Sequence, residues 1–176
     1  MPVSYRQAGS DDADRLALVA AATFALACPP HTPAAGIQHF IVTNLSEEAF
    51  TGYLADDARM LFVAELDGLP VGYTMVVMGE PGDADVAAAL TVRPTAELSK
   101  CYVVSGHHGL GIAAELMKVS VEAAAARGAS GIWLGVNNEN ARANRFYEKN
   151  GFAVVGSKTF LVGTSLENDF VRERRL

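Results

Sequence analysis

The sequence is poor in cysteine, with only Cys28 and Cys101, and it contains no Cys-x-x-Cys pair. This excludes a disulfide-stapled scaffold and a cysteine-rich zinc site, and free thiols suit a reducing compartment. His31 and His39 have no further ligands at a recognisable spacing, so we predict no metal site.

Basic residues are also scarce, with 14 Lys and Arg against 20 Asp and Glu in 176 residues, which gives a net charge of −6. A chain of this charge lacks the positive face that nucleic-acid phosphates require, so we expect no nucleic-acid partner. The acidity also keeps a protein soluble, and it does not by itself identify a cationic ligand.

Long hydrophobic runs are absent. The longest, residues 16–28, is shorter than the about 20 residues that a membrane span needs. Asp11, Asp12 and Asp14 precede it, whereas a signal peptide begins with a basic region. We therefore expect no membrane association and a cytoplasmic protein.

Hydrophobic residues make up 50% of the chain. A chain of this length buries roughly 70% of its unfolded surface on folding, so it needs no disulfide or metal to be stable. No internal repeat, low-complexity tract or long linker is visible. We expect a single domain over residues 1–176.

The spacing of apolar residues predicts a mixture of strands and helices. A first strand is followed by a helix that Ser10 caps and that ends before Pro29, then by two short helices, a hairpin turning at Asp67-Gly68, and a loop. The later chain alternates strand, helix, strand, helix and strand. This order predicts an α/β fold with one mixed sheet and helices on both faces. The predicted segments are 3–6, 10–28, 34–45, 46–54, 60–66, 71–78 and 79–93, followed by 97–104, 109–127, 131–136, 140–149 and 152–162.

A glycine-rich turn links the strand over residues 97–104 to the long helix that follows. Gly109 and Gly111 stand where the helix begins. The first turn of a helix has unpaired N–H groups and the positive end of the helix dipole, and small residues let an anion approach, so a phosphate is the expected ligand. Alternatively, the two glycines only shape a tight connection.

The same residues also fit a dinucleotide-binding pattern. Gly109-x-Gly111-x-x-Ala114 matches Gly-x-Gly-x-x-Gly/Ala, and Glu139 lies where a ribose-binding acid could stand. Residues 104–108 intervene between strand and pattern, however, and a doubly wound domain needs more strands.

Two motifs on successive strand–helix units decide between these interpretations. The first is the loop His108-Gly109-Leu110-Gly111-Ile112-Ala113, and the second comprises Asn140, Phe146-Tyr147 and Gly151-Phe152. They resemble the pyrophosphate loop and the later signature of the GNAT superfamily of acyl-CoA-dependent N-acyltransferases. His108 replaces the usual Gln or Arg. The resemblance implies a GNAT-like fold with a mostly antiparallel mixed sheet, and acetyl-CoA as cosubstrate.

The resemblance also implies a cofactor-binding set. Backbone groups of Cys101, Tyr102 and Val103 would bind the pantetheine arm, and Asn140 would hydrogen-bond the same arm. Tyr147 would protonate the leaving thiolate, because a phenol with a pKa near 10 is protonated at neutral pH. Alternatively, Tyr147 is a half-buried aromatic of an amphipathic helix. The pyrophosphate would lie on His108, Gly109, Leu110, Gly111, Ile112, Ala113 and Ala114.

Acyl transfer to an amine also requires a base, because a protonated amine has no free lone pair. Bases of the resembled family often lie on the strand before the loop, and Glu97 is the candidate, working through a water. Glu97 could instead be an exposed edge residue or a partner for Lys100. Cys101 is better explained as a small buried residue than as an acyl-bearing nucleophile. Strand alternation places Glu97, Ser99, Cys101 and Val103 on one face and Leu98, Lys100 and Tyr102 on the other.

Over nearly its whole length the chain also resembles bacterial spermidine/spermine N-acetyltransferases. This implies direct transfer, in a ternary complex, to a primary amine of a small molecule such as a polyamine. The alternatives are a protein lysine or N-terminal amine as acceptor, or a CoA-binding sensor without turnover. Relatives are often dimers, so the resemblance allows a homodimer, and the apolar Ala- and Val-rich helices fit either a core or an interface. The matching segments are Thr23-Phe24, residues 44–46, 71–73 and 132–136, and residues 160–169.

Overall fold

The structure is a computed structural model that describes residues 2–176. Its seven strands form one sheet in the order β1-β2-β3-β4-β5-β7-β6. Neighbouring strands are antiparallel except for the parallel pair β4 and β5. The prediction of a mixed, mostly antiparallel sheet is confirmed. The strands are β1 (Val3–Gln7), β2 (Arg59–Leu66), β3 (Leu69–Met78), β4 (Thr95–Val103), β5 (Gly131–Asn137), β6 (Ala153–Val162) and β7 (Ser165–Arg175).

Six α-helices within residues 2–176 cover the two faces of this sheet. Helices α1, α2 and α3 enclose a core around Leu16, Phe50 and Tyr73 on one face. Helices α5 and α6 pack on the other face, where the core includes Leu116 and Phe152. The helices are α1 (Ala13–Ala27), α2 (Ala34–Asn44), α3 (Glu47–Ala55), α4 (Ala84–Ala89), α5 (Ile112–Ala126) and α6 (Ala141–Lys149).

One strand was missed, and two predictions about elements are wrong. Strand β7 was not predicted, because it carries charged residues that the fold buries among specific partners, such as Glu173 with the N–H groups of Thr91 and Val92. The predicted loop over residues 79–93 contains α4. Ser10 belongs to a short 3₁₀ turn, and the Asp12 carboxylate, not Ser10, accepts the preceding N–H of Gly9.

Asp12 also anchors the first strand through a paired arginine. Two Arg6 nitrogens donate to Asp12 at 2.9 and 2.8 Å, and the Asp12 side chain is 10% exposed. The hydrogen bonds from Arg6 lower the pKa of Asp12 to about 2. The ionised carboxylate therefore stabilises the fold above its unfolded pKa near 3.8, and this contribution disappears as the pH falls toward 2.

We expect Asp12→Asn to lower the free energy of unfolding by about 1–3 kcal/mol at pH 7, because it removes a charged hydrogen-bond acceptor and leaves Arg6 with Glu65 as its remaining ion-pair partner. Urea unfolding of both proteins between pH 7 and pH 2 measures this. The difference between the two stabilities should begin to shrink near pH 4 and should disappear as the pH approaches 2. An equal difference at every pH would contradict the assignment of the stabilisation to the ionised carboxylate.

Candidate active site

The site begins where two neighbouring strands separate. Strands β4 and β5 pair only from Thr95 to Glu97, opposite Gly131 to Trp133, although both strands continue for several residues. Their facing edges beyond this point carry backbone groups without a strand partner. Such edges accept an extended chain that supplies its own N–H and C=O groups. A cavity of about 770 Å³ opens at this separation.

The loop after β4 presents backbone donors to this cavity. Gly109 and Gly111 have φ values of 87° and 75°, which side chains other than glycine rarely adopt. Gly111 immediately precedes α5, so the unpaired N–H groups of the first helical turn, from Ile112 onward, lie beside the cavity. This arrangement suits an anion such as a pyrophosphate.

Most of the predicted binding residues meet at this cavity. Leu110 does not line it, and its side chain is 63% exposed, so only its backbone is available to a ligand. The predicted residues that line the cavity are Glu97, Cys101, Tyr102, Val103, His108, Gly109, Gly111, Ile112, Ala113, Ala114, Asn140 and Tyr147.

The structure gives two of the predicted side chains additional roles. The His108 imidazole lies 2.8 Å from the Val103 carbonyl through Nε2, so it ties the loop to the end of β4 instead of pointing a free donor at a phosphate. The Asn140 side chain accepts the N–H of Ala143 at 3.1 Å and caps α6. Its amide NH₂ remains the group that can donate into the cavity.

Tyr147 lies on α6 with its ring between two phenylalanines. The ring centroids are 5.4 Å from Phe146 and 6.0 Å from Phe152. Its hydroxyl lies beside the Cys101 thiol, and burial raises the pKa of Tyr147 well above its ordinary value. Burial also raises the pKa of Cys101 to about 12. Both groups are therefore protonated at neutral pH, which suits a proton-donating phenol and disfavours Cys101 as a nucleophile.

The predicted alternation along β4 is wrong. Met75 pairs with Lys100 and Val76 with Leu98, so Ser99 is an unpaired bulge residue. A bulge inserts one extra residue into a strand, so the side chains after it point to the opposite face of the sheet from the one that simple alternation predicts. Leu98 consequently shares the α5 face with Cys101 and Val103. Glu97, Lys100 and Tyr102 lie on the opposite face, against α1 and α3.

Glu97 occupies a mostly buried position on that face. Burial raises the pKa of its carboxyl group, and the nearby cations Lys158, Lys100 and Arg59 oppose the shift. Burial lowers the pKa of Lys100 to about 8, against the effect of Glu97. Within residues 2–176 no protein group hydrogen-bonds the Glu97 carboxylate, so the group is neither an exposed edge residue nor a direct ion-pair partner of Lys100.

Sequence reasoning missed a group of charged and aromatic side chains at the α1 side of the cavity. Asp169 and Glu167 come from β7, which was not predicted, and Lys158 comes from β6. Phe24, Phe40 and Phe160 pack together beside them, with the Phe24 and Phe40 rings stacked at 4.4 Å. Spacing along the sequence gives no signal that Phe24, Phe40 and Phe160 contact one another.

One cluster joins residues far apart in the chain. His31 Nε2 lies 2.8 Å from Glu139 Oε2, and His31 Nδ1 lies 3.9 Å from Glu167 Oε1. One potential ligand atom from each residue lies within 4.8 Å of the others, a grouping that spacing along the sequence could not show. Glu139 thus pairs with His31 and is not placed as the acid of a dinucleotide site.

The sheet splits between two parallel strands, and a glycine loop opens a helix beside the split, so the site offers backbone groups to an extended ligand that carries an anion such as a pyrophosphate. The sequence profile of the acetyltransferase (GNAT) family matches residues 22–152. The chain belongs to this family and is an acetyl-CoA-dependent N-acetyltransferase.

No helix in residues 2–176 has the length and apolar character needed to cross a membrane.

Individual proteins support this assignment. An uncharacterised N-acetyltransferase of Mycobacterium tuberculosis is 47% identical over 165 residues, which cover 94% of this chain and 98% of the relative. The streptothricin acetyltransferase of Streptomyces lavendulae is 35% identical over 100 residues, covering 54% of this chain and 53% of that protein. The PaiA N-acetyltransferase of Thermoplasma acidophilum, in complex with coenzyme A, has the same fold, with a TM-score of 0.79 at 19% identity over the full length of both chains.

Proposed function

We propose that the enzyme acetylates a primary amine of a small molecule, with polyamines as the first candidate class, by direct transfer in a ternary complex. The observation that carries the proposal is the pair of cavity-lining carboxylates, Glu97 and Glu167, that form no ion pair with a lysine or arginine within residues 2–176, whereas the third, Asp169, is paired with Lys158. Carboxylates beside apolar walls attract alkylammonium groups by charge while accommodating the carbon chain. The resemblance to spermidine/spermine N-acetyltransferases supports the same class.

Acetyl-CoA, when bound, supplies the activated acetyl group as a thioester. The backbone edges of Cys101, Tyr102 and Val103 and the donors of residues 109–114 are the groups that would hold it, and the Asn140 amide would add a donor. The open β4 edge and the positive φ values at Gly109 and Gly111 fit this ligand. Binding by backbone groups fixes the reacting carbonyl relative to the acceptor, which removes an entropic part of the barrier.

Tyr147 and Glu97 then divide the proton transfers. The Tyr147 phenol, kept protonated by burial, would donate its proton to the sulfur as the C–S bond breaks, and the second proton lost by the acetylated nitrogen would restore the phenol. The Glu97 carboxylate accepts the proton of the acceptor ammonium through a water, which frees the nitrogen lone pair. A raised pKa makes Glu97 a stronger base than an ordinary carboxylate.

Release of the CoA thiol from acetyl-CoA tests the acceptor. The panel contains polyamines, monoamines, aminoglycosides, streptothricin, amino acids and a lysine peptide. We expect the highest kcat/KM with a small alkyl polyamine or amine. A preference for the peptide would contradict the small-molecule acceptor and favour protein amines. If no member of the panel releases the CoA thiol while calorimetry shows that CoA binds, the protein would be a CoA-binding sensor.

A further inference from the structure

A lysine of the protein itself, Lys158, lines the cavity beside Glu167 and Asp169. Lys158 lies on β6, yet its side chain extends across β7 and ends over Gly135 of β5. A Cβ added to Gly135 would lie 2.6 Å from Lys158 Cε and 3.2 Å from Asp169 Oδ2. Glycine at position 135 therefore leaves the space that the lysine chain occupies.

The Lys158 ammonium is held there by two different contacts. Its Nζ lies 3.4 Å from Asp169 Oδ2, and the two side chains are only 15% and 9% exposed. The same nitrogen stands 5.0 Å from the centroid of the Phe160 ring, in a cation–π contact. A buried carboxylate beside an aromatic face is a receptor for an alkylammonium group, and Lys158 fills it.

We propose that Lys158 is a specificity-determining residue, because it occupies the ammonium subsite formed by Asp169 and Phe160 and so excludes a second cationic group of the acceptor from this part of the cavity. This inference rests on the proposed function, since it concerns the amine acceptor. In the wild-type enzyme, Glu97 and Glu167 are then the cavity-lining carboxylates left to attract the ammonium groups of a polyamine.

The charges of Lys158 and Asp169 account for the proposed exclusion of a second ammonium group. Lys158 repels a second ammonium and also neutralises Asp169, which would otherwise attract that ammonium. Replacing Lys158 by methionine keeps most of the apolar side chain over Gly135, removes the fixed charge and frees the Asp169 carboxylate. A substrate ammonium can then take the place of the Lys158 ammonium.

The test compares butylamine with 1,4-diaminobutane, which differ in the second nitrogen. We expect Lys158→Met to raise the ratio of kcat/KM for the diamine to that for the monoamine at least tenfold. Lys158→Arg keeps the cation and should keep the wild-type ratio. The double variant Lys158→Met/Asp169→Asn should lose the gain. Lys149→Met removes an exposed lysine of α6 and serves as the matched control for net charge.

Calorimetric titration of 1,4-diaminobutane into the CoA-saturated proteins separates this inference from the proposed function. Tighter binding to Lys158→Met than to wild type, with no turnover of either amine, would keep the subsite and overturn the proposed amine acetylation. An unchanged ratio and unchanged affinity in a Lys158→Met protein with a wild-type thermal unfolding curve would overturn the role of Lys158 and leave the proposed function standing.

Discussion

Replacing Tyr147 with phenylalanine is expected to lower kcat by about 100-fold, the lower end of what a positioned general acid contributes. The substitution removes only the hydroxyl that lies beside the Cys101 thiol and keeps the ring between Phe146 and Phe152. Packing and CoA affinity should therefore stay close to wild type. Steady-state kinetics with saturating acetyl-CoA, together with a calorimetric Kd for CoA, measure both quantities.

Tyr53→Phe is the matched control for this experiment. That phenol donates to the Asn44 carbonyl at 2.8 Å and does not line the cavity. Because burial raises the pKa of Tyr147, we expect no loss of wild-type activity from its ionisation below about pH 10. A Tyr147→Phe enzyme with an unchanged kcat at every pH would remove Tyr147 from the acid role.

Replacing Glu97 with glutamine is expected to lower kcat/KM for the amine by roughly 100-fold at pH 7, since it removes the base that deprotonates the acceptor. Alkylamines deprotonate without help near pH 10, so the deficit should shrink as the pH rises toward that value. The wild-type profile should show an acid limb above pH 4.5, because burial raises the pKa of Glu97 above this ordinary value. The glutamine variant should lack that limb.

Glu122→Gln controls for the loss of one negative charge, because Glu122 is exposed on α5 and lies outside the cavity lining. A Glu97→Gln enzyme whose pH–rate profile coincides with the wild-type profile would show that water alone or another group removes the proton. Lys100, with its pKa lowered to about 8 by burial, would then be the next group to replace.

Features set by neighbouring residues were predictable from the sequence. The hairpin turn at Asp67-Gly68 is one, since both residues have positive φ values of 52° and 77°, which an Asp-Gly pair favours. The glycine loop is another, because a helix start with glycines presents backbone donors wherever it occurs. Local chemistry sets both features, and the sequence displays that chemistry directly.

Features that depend on distant partners were not predictable. Strand β7 carries the charged residues Glu167, Asp169 and Glu173, so its sequence does not look like that of a buried strand. The partners that allow these residues to be buried come close only in the folded chain. The bulge at Ser99 depends on pairing with β3, and it changes which residues of β4 share the face with Glu97. The Lys158–Asp169 pair needs both β6 and β7 in register. Such contacts arise from tertiary structure, and no spacing rule contains them.

The separation of β4 from β5 also divides the molecule mechanically. Only three residue pairs join the strands β1 to β4 to the strands β5 to β7, whereas the remaining neighbours share longer ladders. Segments joined by few hydrogen bonds open as separate cooperative units. A ligand lying between the two strands would bridge these units and make them unfold as one, so the cosubstrate would act as a missing strand of the sheet as well as a reactant.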